Sequence, residues 1–219
     1  NNPNNKEDRA VDLLVDNSGN GFVVGNNASY LSYDANVTVN KFSTSGLLQW
    51  EGFFDSPGNQ MDNAVRVIKD GSHAVYTLST VNNNVSKADV LITKYNSKGV
   101  LLWQINYDTA AVDNGAYAME MDAQKNIYVL FGASGGWDTK LMKYDSLGTL
   151  IWDRYYADPF YVMNMDNTGQ LVLGGGRSGY YDNLCQRVDQ NGNTLSYSTP
   201  VNAAVNVFAR AISSATDPI

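Results

Sequence analysis

The sequence predicts an all-β chain, a β-propeller of four-stranded antiparallel blades, and three observations carry that prediction. A strand-and-turn phrase recurs four times along the 219 residues. Short segments rich in Val, Ile, Tyr and Phe alternate with polar residues and stop at Asp, Asn, Ser or Gly, the chemistry of strands joined by tight turns. No stretch of useful length carries a helical period of apolar residues.

The recurring phrase is Asn40–Trp50, then Thr93–Trp103, then Met142–Trp152, with a degenerate copy at Gln186–Ser196. Its glycines, Gly46, Gly99, Gly148 and Gly192, stand 53, 49 and 44 residues apart, the period of a propeller blade. A second phrase precedes each copy and opens on Asp16, Asp70, Asp122 or Asp166. Each unit therefore reads as strand A before that Asp, strand B after the first turn, strand C ending in Lys-Tyr or its equivalent, and strand D carrying Trp50, Trp103 or Trp152. In the turns, an Asx side chain bonds the backbone and Gly accepts the positive φ.

The domain organisation follows from these units. Residues 1–9 read as an N-terminal extension and 10–219 as the propeller, with blades at about 10–60, 61–113, 114–158 and 159–206. An additional or closing strand is expected at 207–213, around Val207-Phe208-Ala209-Arg210-Ala211-Ile212, so the chain holds about four blades and the first strand of a fifth. Four blades is the low end of the usual propeller range, which leaves two readings open: a small closed ring, or a segment of a longer array.

Composition narrows the function classes. The formal net charge of −7 opposes phosphate-backbone binding, which needs clustered Lys and Arg, so no nucleic-acid partner is expected. One Cys and one His supply neither an internal disulfide nor a zinc cage; no metal and no cofactor are expected. No apolar run is long enough for a membrane span or a signal-peptide core. The start at Asn1 without Met suggests a mature or excised segment. His73 sits at a turn with no nucleophile motif beside it, and Cys185 takes the strand position of Val39, Ile92 and Leu141, where packing is the expected role. The stretches Asp16–Asn20 and Asp189–Asn193 faintly resemble calcium loops but lack an acidic closing ligand, so turn chemistry is the simpler account. Catalytic residues are none, and the chain is expected not to be an enzyme.

The combined pattern resembles the bacterial β-propeller repeat family of extracellular and surface-layer-associated proteins. The second half of that repeat is matched by Asp89, Lys94, Tyr95, Asn96, Gly99 and Trp103, and again by Asp138, Lys143, Tyr144, Asp145, Gly148 and Trp152. The first half is matched by Asp16, Gly19, Asn20, Val24 and Gly25, and partly by Asp122, Asn126, Tyr128 and Val129. The fourth unit departs from it at Arg187, Val188 and Ser196. The resemblance implies a propeller fold, an extracellular or cell-surface bacterial location and a binding or structural role, with no single reaction attached. The segment from Asp145 to Trp152 is also similar to the tryptophan-docking repeat of quinoprotein propellers and outer-membrane assembly lipoproteins, in which the Trp is structural and implies no quinone.

Trp50, Trp103 and Trp152 recur at one repeat position, which suits blade packing better than a single ligand site. Lys94 and Lys143 follow Asp89 and Asp138 by five residues and are expected to make a contact within the blade. All length variation falls in the B–C and D–A connections, whereas the A–B and C–D turns keep their spacing. One face of the propeller therefore carries tight repeated turns and the other carries variable loops, where function concentrates. Candidate ligand-binding residues on that face are Tyr30, Tyr33, Phe53, Phe54, Trp137, Tyr155, Tyr156, Tyr180 and Tyr181, joined by Tyr107. Aromatics among Asn, Asp and Gly suit sugar stacking or a protein partner. The leading expectation is a non-catalytic secreted or cell-surface module that binds a protein or glycan. The rivals are a propeller-fold glycoside hydrolase or lyase and a structural spacer within a longer array of such repeats.

Overall fold

A computed structural model describes residues 7–28, 35–57, 60–82, 88–108, 114–133, 138–177 and 182–198. All regular structure among them is β: sixteen strands in four antiparallel sheets of four, each in simple sequential order. Blade 1 comprises β1 (Glu7–Val15), β2 (Gly21–Ala28), β3 (Ala35–Phe42) and β4 (Leu48–Phe54). Blade 2 comprises β5 (Asn63–Lys69), β6 (Val75–Asn82), β7 (Ala88–Tyr95) and β8 (Leu101–Tyr107). Blade 3 is β9 (Ala116–Met121), β10 (Ile127–Ala133), β11 (Asp138–Tyr144) and β12 (Leu150–Tyr156). Blade 4 is β13 (Phe160–Met165), β14 (Leu171–Arg177), β15 (Asp182–Val188) and β16 (Thr194–Ser198). The fold class is thus the predicted one, and the expected strand at 207–213 lies outside the described residues. The chain forms two compact units, Asn1–Ala116 and Tyr117–Ile219, each built around two blades.

Strand β1 begins at Glu7, inside the stretch expected to be an extension. Asp8 and Arg9 pair with Asn27 and Asn26, because β2 runs on to Ala28 and its backbone groups offer ladder partners whatever the side chains. The innermost pairing carries a register shift at Ala10/Asp12, Ala64/Arg66 and Phe160/Val162. The outermost pairing carries one in every blade, at Lys41/Phe42, Lys94/Tyr95, Lys143/Tyr144 and Arg187/Val188. These bulges fall at the Lys-Tyr position of the repeat, so part of that motif marks a place where the strand bends.

The cores lie between successive blades of each unit. A sheet is apolar on a face only if something covers it. In the first unit, Phe22, Val24, Val37 and Val39 of blade 1 meet Ala64, Val67, Val75 and Tyr95 of blade 2. In the second, Ala118, Tyr128, Leu130, Leu141 and Tyr156 of blade 3 meet Phe160, Met163, Leu171, Leu173, Leu184 and Val188 of blade 4. In each unit the first blade thus turns one face, its leading face, to the second, which meets it with its trailing face.

Candidate functional site

The A–B aspartates are the polar centres of the blades. Asp16 Oδ1 accepts the Ser18 and Asn20 amides, both at 2.9 Å, and its Oδ2 takes the Asn20 side-chain amide. Asp70, Asp122 and Asp166 repeat the arrangement with the amides two and four residues on. The donors stabilise the anion: the Asn20 side chain holds Asp16 below the usual carboxylate range, and Thr168 does so for Asp166. Buried Tyr76 and Tyr128 donate their hydroxyls to Asp70 and Asp122 at 3.3 and 3.1 Å, and burial beside those anions pushes both phenols up. The same chemistry closes the C–D turns, where Asn96, Asp145 and Asp189 each accept two amides. In both stretches that resemble calcium loops, the Asp oxygens therefore already face amide donors.

Lys143 makes the expected contact within the blade, but not with Asp138. It reaches Asp122 at 3.5 Å and the Gln190 carbonyl at 3.3 Å, and lies over the Tyr128 ring. Asp138 instead accepts the Tyr155 hydroxyl. An interval of five along a strand puts two side chains on opposite faces about 17 Å apart, so Lys143 and Asp138 cannot meet. Lys94 likewise lies over Tyr76 and Trp103, while Asp89 accepts the Asn106 side chain. In blade 4, Arg187 replaces Lys and pairs with Asp166.

The repeated tryptophans dock blade on blade. Trp50 donates its indole N–H to the Ser97 carbonyl at 3.1 Å, in the C–D turn of blade 2, and stacks on Tyr95. Trp152 donates to the Gln190 carbonyl, also at 3.1 Å, in the C–D turn of blade 4. The turn glycine makes room: a Cβ on Gly99 would lie 2.7 Å from Trp50, and one on Gly192 would lie 3.1 Å from Trp152. Both glycines also hold positive φ, so two requirements coincide there.

The candidate ligand aromatics divide. Tyr30, Tyr33, Trp137, Tyr180 and Tyr181 lie outside the described residues. Tyr156 is buried against Phe160 and donates its hydroxyl to the Gly192 carbonyl at 2.8 Å, with burial pushing the phenol up to about 12. Phe54 packs on the core of the first unit. Both stand at an inward-facing D-strand position that leads into the interblade core. Phe53 and Tyr155 occupy the preceding repeat position and are exposed. Cys185, expected in a core, is exposed: its equivalents are covered in the other blades, but it stands on the leading face of blade 4. Asp12 and Arg66, which vary in charge along strand A, face each other at 3.8 Å, and Asp12 also accepts the Val67 amide.

Two features went unread in the sequence. An Asx stands eight residues before the A–B aspartate at Asp62, Asn114 and Asp158. Asp62 and Asn114 donate their amides to the Ala35 and Ala88 carbonyls at 2.7 and 2.8 Å, tying each D–A connection to the preceding blade. Buried Asp62 further accepts the Ser56 amide and hydroxyl and the Asn82 amide, and desolvation raises its carboxyl above the ordinary value. The second feature is an exposed apolar rim just past each C–D glycine: Leu47 and Leu48, Leu101 and Leu102, Leu150 and Ile151, and Leu195. Its sequence signal was consecutive apolar residues that break the period of two.

Among the described residues no group of three His, Cys, Asp or Glu side chains is placed to share a metal ion, and no helix is long and apolar enough to cross a membrane. No protein-family model and no curated protein matches the chain. Solved structures do. A protein of unknown function from Bacteroides caccae aligns with a TM-score of 0.56 at 9% identity, over 90% of this chain and 62% of that one. This chain therefore spans about three-fifths of its length. A eukaryotic initiation factor aligns at a TM-score of 0.48 and 9% identity over 87% of this chain and 55% of its own. The WD40 domain of SCAP from fission yeast aligns at 0.27 and 9% identity over 89% and 72%. At these identities the first of them speaks to the fold alone.

Proposed function

We propose that the chain is a non-catalytic propeller module that recognises a protein or glycan partner through the face carrying its B–C and D–A connections, in an extracellular or cell-surface bacterial setting. The observation that carries this reading is the pair Phe53 and Tyr155. They hold the same repeat position at the loop-ward end of two outer strands, and both are exposed while their neighbours Phe54 and Tyr156 pack inward. An aromatic held on a rigid strand offers a stacking surface at low entropic cost. The acidic groups of the repeat support the non-catalytic part: the A–B and C–D aspartates are occupied by the turns they close. The setting rests on the repeat resemblance.

The test is an array of bacterial surface polysaccharides probed with the 219-residue chain and with a Phe53→Ala/Tyr155→Ala variant. A glycan that binds the native chain and loses about tenfold in affinity in the variant, with the melting temperature unchanged, supports the reading. Equal binding by the two folded proteins overturns the proposed face. A protein partner identified separately is to be tested with the same pair.

A further inference from the structure

The D–A connection between blades 1 and 2 is held from inside by a carboxyl group with no cation beside it among the described residues. Asp62 is 0% exposed. Its Oδ2 accepts the Ser56 amide at 2.9 Å, and its Oδ1 accepts the Asn82 amide at 3.0 Å. The Asn26 side chain donates to the Asp62 carbonyl and the Asn82 side chain to that of Met61, so β2 and β6 both grip the connection. Ser56, Asn26 and Asn82 are neutral. Among the described residues the charge that acts on Asp62 is Asp55, in the same connection, and it opposes ionisation as burial does. The equivalent position in the next connection is Asn114, which is 1% exposed, makes the same backbone tie and carries no charge. A neutral group suits this position.

The Ser56 hydroxyl decides where a proton goes. Its Oγ lies 2.7 Å from Asp62 Oδ1 and 2.5 Å from the Asn82 carbonyl oxygen, and it has one hydrogen for the two. With Asp62 ionised, both neighbours can only accept, so the hydroxyl satisfies one and turns a lone pair on the other. With Asp62 neutral, Oδ1–H donates to Ser56 Oγ, Ser56 donates on to the Asn82 carbonyl, and every oxygen has a partner. Oδ1 keeps a lone pair for the Asn82 amide, so no existing bond is lost. We infer that Asp62 is a proton-operated latch: one proton taken from solvent completes the chain Asp62–Ser56–Asn82 and fastens the D–A connection to β6, and its loss leaves that chain one hydrogen short. The connection follows the strand that bears Phe53, but the latch needs no ligand there and stands apart from the proposed binding face.

An NMR titration of the 219-residue chain tests the latch. The Asp62 carboxyl carbon is the resonance that Asp62→Asn removes, and it is expected to titrate above the ordinary value near 3.9. A carboxyl that binds its proton more tightly in the closed connection adds stability as pH falls through its folded value, and the gain is complete near 3.9. Hydrogen-exchange protection factors of the Ser56 and Asn82 amides are therefore expected to rise about tenfold per pH unit over that interval, and to stay flat in Asp62→Asn. The serine supplies a second, signed readout. In the relay Ser56 accepts from the neutral carboxyl, so Ser56→Ala lowers the Asp62 midpoint. A serine that merely donates to a carboxylate gives the reverse. A raised or unchanged midpoint in Ser56→Ala overturns the inference. So does a native Asp62 midpoint at or below the ordinary value, and so does protection that fails to follow the titration. Should Ser56→Ala not fold, the native midpoint and its agreement with the two amides decide.

Discussion

At the residue scale, turn chemistry sets what each side chain does. The third residue after the A–B aspartate is Gly19 or Gly169 in two blades, but His73 and Lys125 in the others, with φ of 64° and 66°. A side chain in that region costs about 1–2 kcal/mol, partly offset by the flexibility that Gly adds to the unfolded chain. Exposed His73→Gly is therefore expected to stabilise the protein by about 0.5–1 kcal/mol, read as a higher urea midpoint at constant slope. The aspartates supply a pH dependence. Asp16, Asp145 and Asp166 are held low by the donors around them, led by the Asn20 side chain, the Thr149 amide and the Thr168 side chain respectively. A depressed folded-state pKa contributes stability above the unfolded value near 3.9 that is lost as pH falls below it. Denaturation midpoints are expected to hold from pH 7 to about 5 and to fall steadily below about 4. Asp62 has the opposite sign, because burial raises its carboxyl, so its protonation partly offsets the loss.

At the element scale, the repeat indole is one tie between an outer strand and the next blade. Trp50→Phe keeps most of the packing and loses the bond to Ser97, an expected cost of about 1 kcal/mol. Trp50→Ala also opens a gap against Tyr95 and Phe22, with an expected cost of about 2–4 kcal/mol, reduced because the indole edge is partly exposed. Equilibrium unfolding of the two variants separates the contributions, and comparable losses for Phe and Ala would refute the packing account. Asp62→Asn tests the D–A tie. The new amide nitrogen replaces an oxygen that faces a Ser56 donor, so a destabilisation of about 1–3 kcal/mol is expected from the unpaired buried groups.

At the scale of the whole molecule, the apolar rim and the acidic charge oppose each other. The chain carries −7 at neutral pH and has a sequence isoelectric point near 4.5. Repulsion keeps copies apart until that charge is lost, after which Leu47, Leu102 and Leu147 on the C–D side are free to meet. Light scattering is expected to show self-association that peaks near pH 4.5, and Leu102→Lys/Leu147→Glu, which leaves the net charge unchanged, is expected to reduce it. An unchanged profile in the variant would refute a role for the rim.

By itself the sequence determined the blades. Strand period, Asx-Gly turns and the recurring Trp are local or fixed-interval signals, so the four-strand unit and the structural role of Trp50 and Trp152 are legible in the sequence. Partners were not. Lys143 follows Asp138 by five residues, yet strand alternation separates them, and antiparallel pairing brings it to Asp122 in the turn after β9. Tyr156 and Tyr155 are adjacent and chemically alike; only the pleat and the next blade make one a core residue and the other a surface one. Cys185 holds a position that is covered in the other blades and is exposed here, because burial in a propeller belongs to the neighbouring sheet rather than to the residue. A repeat specifies its own strands and turns, but whether a given face is core or surface depends on which blade stands against it.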